Sequence, residues 1–100
     1  MIRSYDFLKK AYRVPSFRNE ILRHIHLTTN SEMVYEYVIL KFDYENKVIR
    51  EYPNPGALLS CKVFPMELSY DAFLQMMSSE DPWTFFENEC RFLDYSNPNN

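Results

Sequence analysis

Few side chains in this 100-residue chain are spaced for chemistry, and they fall in three places. The first is His24-Ile25-His26. On a strand, residues two apart point the same way, so both imidazoles could reach one metal ion. On a helix they diverge by about 200° and could not. A third ligand is required, and no Asp, Glu or Cys is set by local spacing to supply it. The second place is the pair of cysteines, Cys61 and Cys90. Either thiol with a histidine could form a nucleophilic pair. Their separation lacks the close spacing of a zinc site. Cys90 also recurs at helical spacing with Trp83, Phe86 and Leu93, an apolar stripe where a thiol keeps its proton. The third is Glu89, inside SSEDPWTFFENECRFLDY. On a helix over Pro82–Leu93, Trp83, Phe86, Cys90 and Leu93 make one apolar arc and Phe85 and Phe92 a second, with Glu89 between them. A carboxyl among aromatic rings is costly unless it is paired or its pKa rises. It has three readings: a partner from the basic N-terminal half, a place in an exposed contact patch, or work as an acid. None of the three places completes a catalytic or metal motif, so no enzyme, metal or cofactor is expected.

The composition points to binding. Hydrophobic residues make up 46% and aromatic residues 17% of the chain, with eight Tyr and eight Phe. One core of this size does not need so many rings, and exposed rings favour contacts. The one glycine, Gly56, excludes a Gly-rich phosphate loop. No run of about 18 apolar residues is present for a membrane span, and the start, MIRSYDFLKKAYR, lacks a secretory apolar run. A cytoplasmic protein with reduced cysteines is expected. The net charge is −3 and unevenly spread: residues 1–50 carry nine Lys and Arg against six Asp and Glu, residues 51–100 two against eight. Folding either keeps an acidic half, which attracts basic partners and repels phosphate backbones, or intermixes the charges. Arg3, Lys9, Lys10, Arg13, Arg18 and Arg23, interleaved with Tyr5, Phe7 and Tyr12, could touch nucleic acid. The acidic total argues against it.

The elements that must position these residues read as one α+β domain over 1–95, with 96–100 as a flexible tail. Ser4 caps a short helix ending before Pro15, and Val14 is extended because a proline follows. Residues 17–27 are ambiguous. Phe17, Ile21 and Ile25 have helical spacing through His24, while the β-rich ending HLTT favours a strand over about Ile21–Thr29. MVYEYVILKFDY, residues 33–44, reads as one strand. Val34, Val38, Leu40, Phe42 and Tyr44 form its core face; Tyr35, Tyr37 and Ile39 lie on the other. A three-residue loop then sets Lys41 opposite Glu51 and Tyr44 opposite Val48 in a second strand, Val48–Pro53. Ala57–Phe64 reads as a further strand closed by Pro65. Ser69 caps a helix over Tyr70–Met77, and Asp81-Pro82 starts one running to about Leu93. The expected fold is a three- to four-stranded antiparallel sheet with an N-terminal helix and two C-terminal helices packed on it.

The functional expectation is a non-enzymatic protein that binds another protein: a small acidic inhibitor or neutraliser of a basic enzyme such as a nuclease, in the manner of an immunity protein or a phage-encoded inhibitor. Its contact residues would be Glu80, Asp81, Phe85, Glu87, Glu89, Phe92 and Asp94. The alternative is a homodimer paired through a sheet face carrying Tyr35 and Tyr37.

Overall fold

The computed structural model describes residues 3–4, 7–56, 61–62 and 64–93. The elements follow in the order β1 (Arg3–Ser4), α1 (Phe7–Ala11), α2 (Pro15–Ile25), β2 (Ser31–Val34), β3 (Val38–Asp43), β4 (Val48–Pro53), β5 (Cys61–Lys62), β6 (Met66–Ser69), α3 (Tyr70–Met76), α4 (Pro82–Glu89) and β7 (Arg91–Phe92). Five strands form an antiparallel sheet in the order β2-β3-β4-β6-β7, and β1 and β5 make a separate parallel pair. The α+β class is as expected; the main sheet has one strand more than the upper expectation.

Direct cross-strand partners share a face, so the register divides the sheet cleanly. One row on the covered face runs Met33, Leu40, Glu51, Met66, Phe92, and the next runs Ser31, Phe42, Ile49, Leu68. The apolar members of these rows, except Phe92, join Phe7, Leu8, Ile21, Ile25, Phe73, Met76 and Phe86 from the helices in a single core. Among the described residues, none on the opposite face belongs to the core.

Glu51 is fully buried in the middle of this core face, between Leu40 and Met66. Its two carboxyl oxygens accept the backbone N–H groups of Phe7 (3.0 Å) and Leu8 (2.8 Å) at the start of α1. The first N–H groups of a helix have no partner within it, so a polar side chain inside the core here satisfies donors that would otherwise be stranded. The anchor fixes α1 to the centre of the sheet.

Three expectations fail for identifiable reasons. Residues 33–44 are not one strand: Tyr35, Glu36 and Tyr37 turn the chain, and the Tyr35 N–H bonds to the Val38 carbonyl at 2.9 Å. The reversal exchanges the faces of the first segment, so Met33 is buried and Val34 is exposed against Ile39. Tyr35 and Tyr37 therefore lie in a turn rather than on a sheet face. The β3–β4 loop spans four residues, Tyr44 to Lys47, and pairs Lys41 with Arg50, Asp43 with Val48 and Leu40 with Glu51. Lys47 takes the left-handed position (φ 56°), which glycine adopts most readily, and its carbonyl accepts the Tyr70 N–H at 2.8 Å. The segment after Pro65 pairs with β4 as β6 and continues straight into α3.

Residues 15–25 are helical, which settles the ambiguous segment against the strand. Val14 is extended, as Pro15 requires, and Pro15 opens the helix. Ile21 and Ile25 face the core, whereas Leu27, which the strand reading would have buried, is exposed. The helix from Asp81-Pro82 begins as expected but stops at Glu89. Cys90 is extended, and the edge of β6 captures the next residues: Arg91 pairs with Glu67, Phe92 with Met66, and the Leu93 N–H reaches the Pro65 carbonyl at 2.9 Å. Sheet pairing replaces the last helical turn, so the projected arc of Trp83, Phe86, Cys90 and Leu93 does not exist as a helix face. Of the expected strand over Ala57–Phe64, residues 57–60 and 63 lie outside the described residues, as does the tail at 96–100.

Replacing Glu51 by Ala leaves two buried N–H groups without their acceptor and should lower unfolding stability by about 2–5 kcal/mol in urea titrations. Glu51→Gln, which keeps an amide oxygen, should lose clearly less. An Ala variant within about 0.5 kcal/mol of the parent would show that this anchor does not hold the fold.

Candidate protein-binding surface

The residues singled out in the sequence scatter over three environments. Asp81 opens α4: its Oδ1 accepts the Thr84 N–H at 3.3 Å, and hydrogen bonding by Thr84 holds its carboxyl below the ordinary value. That carboxylate is occupied by capping. Glu87 bonds Lys9 of α1 at 2.7 Å, and Lys9 also lies 4.5 Å above the Trp83 ring, with the Arg13 guanidinium 5.6 Å from it. The basic N-terminal segment is thus laid against the acidic helix, and the charges of the two halves intermix here. Phe85 packs partly into the core. Asp94 lies outside the described residues.

Glu80, Asp81, Trp83, Glu87, Glu89 and Arg91 are all exposed on this side, and Phe92, at 62%, is the most exposed large hydrophobic among the described residues. Phe92 ends the core-face row on β7, the last strand of the sheet among the described residues. Glu89 is exposed and makes no ion pair among the described residues, so the reading of it as a carboxyl enclosed by rings does not apply. Glu89 ends α4 and Phe92 ends β7, two elements joined by Cys90 alone.

Tyr35 belongs to the interior side of its turn. Its ring stacks on Phe7 with centroids 4.8 Å apart and meets Phe17 edge-on at 5.4 Å, and its hydroxyl reaches Glu20 at 3.5 Å. Burial, reinforced by Glu20, raises its pKa. Tyr37 is half-buried, and its carbonyl accepts the Asn54 N–H at 3.0 Å. His24 sits on α2 rather than on a strand. Its ring stacks on Phe42 at 4.8 Å and its Nδ1 bonds the Ser31 hydroxyl at 2.8 Å, pinning α2 to the sheet. Desolvation lowers its pKa, with Glu20 opposing and Arg23 assisting. His26 is exposed beyond the helix end. Among the described residues no three His, Cys, Asp or Glu side chains are grouped to hold a metal ion, and no helix is long and apolar enough to cross a membrane.

The feature that sequence reasoning missed is the uncovered face of the sheet. One cross-strand row runs Glu32, Lys41, Arg50, Glu67, Arg91 through all five strands. Beside it runs a shorter row of Val34, Ile39 and Tyr52. Arg50 bonds Asp43 at 2.9 Å and Glu67 at 2.8 Å, and Glu67 also receives Arg91. Burial would lower the Arg50 pKa, but the hydrogen bonds of the two carboxylates outweigh it and hold the guanidinium above its ordinary value. An open depression of about 370 Å³ borders the row, lined by Asn30, Glu32, Lys41, Asp43 and Arg50 among others. The alternation in KVIREY was a usable signal for this row. Its partners depended on the four-residue loop and on β6, neither of which local spacing revealed.

The chain finds no match among protein-family models, curated proteins or solved structures. Its function must be argued from these surfaces.

Asp43 gives the open face a pH signature. It accepts from the Asn46 side chain (2.7 Å) and backbone (3.1 Å) and from Arg50, which together hold its carboxyl at about 2, well below the ordinary aspartate range. A carboxyl with a depressed folded pKa stabilises the fold above its unfolded pKa, and the contribution disappears as pH falls through the folded value. The gap in urea midpoint between the parent and Asp43→Asn should therefore be constant from neutral pH to about 5 and close toward pH 2. A gap that does not change with pH would mean that the carboxylate charge contributes nothing there.

Proposed function

We infer that the chain is a non-enzymatic protein-binding domain that works in the cytoplasm, and that it acts as a small acidic inhibitor of a basic enzyme, a nuclease being the most natural target. The observation that carries the reading is Phe92: a large ring 62% exposed on the last strand of the sheet among the described residues, three positions after the exposed Glu89 that ends α4. Protein interfaces centre on such aromatic anchors, and nearby uncompensated carboxylates favour a basic counterpart and speed encounter by steering. The total of −3 adds to that attraction. The acidic contribution is narrower than the sequence suggests, because Glu87 is neutralised by Lys9 and Asp81 caps its helix. Glu80 and Glu89 are the carboxylates that remain on offer.

The test is affinity capture from the native host at low salt, using the tagged chain and two variants, Phe92→Ser and Glu89→Lys. Both positions are exposed, so both variants should keep the parent melting temperature within a few degrees. A stoichiometric partner of basic surface, held by the parent and weakened about tenfold or more by each substitution, is the expected result. Equal capture by all three proteins would remove α4 and β7 from the interface. Purification of active catalysis with the chain would end the non-enzymatic reading.

A further inference from the structure

We propose that the uncovered sheet face pairs with a second copy of the chain, face to face, about a two-fold axis parallel to the strands and passing over β4. The proposal comes from the order of charges in one row and does not depend on the partner reading above. Read across the sheet, Glu32, Lys41, Arg50, Glu67 and Arg91 have the signs minus, plus, plus, minus, plus. A two-fold axis along the strands reverses this order in the facing copy. Glu32 then meets Arg91 of the second copy, Lys41 meets Glu67, Glu67 meets Lys41, and Arg91 meets Glu32. Only Arg50 meets its own image. Its charge is already compensated within each chain by Asp43 and Glu67, so the like pair on the axis costs little. Glu67 and Arg91 are also paired within each chain, so the attractions of Lys41 and Glu32 to them are weakened in the same way, and Glu32 and Lys41 bring the unpaired charge.

The complementarity is specific to this arrangement. An axis across the strands would set Glu32 on Glu32 and Lys41 on Lys41. Sliding the facing copy by one strand, so that Glu32 meets Glu67, brings Lys41 against Arg50 and makes every contact repulsive. Sliding it the other way loses the Glu32–Arg91 contacts and sets Lys41 against Arg91, leaving only Arg50 against Glu67 as an attraction. Like charges held together at a desolvated interface discriminate strongly against such alternatives. Tyr52 lies beside Arg50 on the same face and would meet its own image close to the axis, adding apolar area.

The size of the face sets the strength. Five strands at about 4.8 Å spacing span roughly 20 Å, and their lengths fall from six residues in β3 and β4 to two in β7, so the patch is roughly 300–400 Å² per copy, the size of a weak or transient contact. The dimer should be weak and should depend on ionic strength, because its contacts are charged and rimmed by solvent.

Analytical ultracentrifugation of the full chain tests this. The weight-average mass should climb from 12.1 kDa toward twice that value with concentration at about 10 mM salt, and return to the monomer value near 1 M salt. Glu32→Arg, which disturbs no ion pair among the described residues, should weaken the dimer about tenfold or more, as should Arg91→Glu. The double variant carrying both exchanges restores both inter-chain contacts and should recover the parent constant to within about threefold. Arg91→Glu also breaks its bond to Glu67, so a melting curve accompanies each variant. If that variant does not fold, Glu32→Arg alone decides. A mass fixed at 12.1 kDa to millimolar concentration at low salt would overturn the proposal. So would a dimer indifferent to Glu32→Arg, or one weakened further by the double exchange.

Discussion

The pairing of β4 with β3 is the constraint on which the rest depends, and Glu51 shows why. Side chains alternate along a strand, so Arg50 and Glu51 must face opposite ways. In the observed register Glu51 points into the core and binds the first N–H groups of α1, while Arg50 points outward between Asp43 and Glu67. A slip of one residue would send the guanidinium into the core and bring the carboxyl out. It would strand the start of α1 and dissolve the charged row in a single step. A buried polar group is expensive and tolerates few arrangements, and here one such group sets the register, the seat of a helix and the pattern of the outer face.

The legible parts of the sequence were those governed by local rules. Ser69 caps α3 and its hydroxyl accepts the Ala72 N–H; Asp81-Pro82 opens α4; Val14 is extended before Pro15. Each is decided within three or four residues. The parts that failed were decided by distant partners or by turns without their usual markers. Tyr35-Glu36-Tyr37 turns without glycine, proline or asparagine, and Lys47 occupies a left-handed conformation that ordinarily favours Gly or Asn. With a chain so poor in glycine, absence of the marker was weak evidence against a turn. The end of α4 was set by β6, whose edge offered Cys90–Leu93 a ladder that the helix could not match, and nothing within α4 announces that competition.

The candidate surface was legible to the same degree. Aromatic and acidic content in Ser78–Tyr95 drew attention to α4 and β7, but composition does not distinguish an exposed ring from a core residue. Phe85 and Tyr35 went inward and Phe92 stayed out. The charge imbalance between the two halves was likewise a property of the chain rather than of its surface. Lys9 and Arg50, from the basic half, neutralise Glu87 and Glu67 from the acidic half, and Lys9 and Arg13 lie over Trp83. Antiparallel pairing and the return of α4 to α1 bring sequence-distant charges together, and opposite charges are the ones such packing retains.

Strand β7 joins the two surfaces. It has only two residues, and alternation turns Arg91 to the uncovered face and Phe92 to the rim of the covered one. Such a short edge strand resists further strand addition because it offers few free backbone groups.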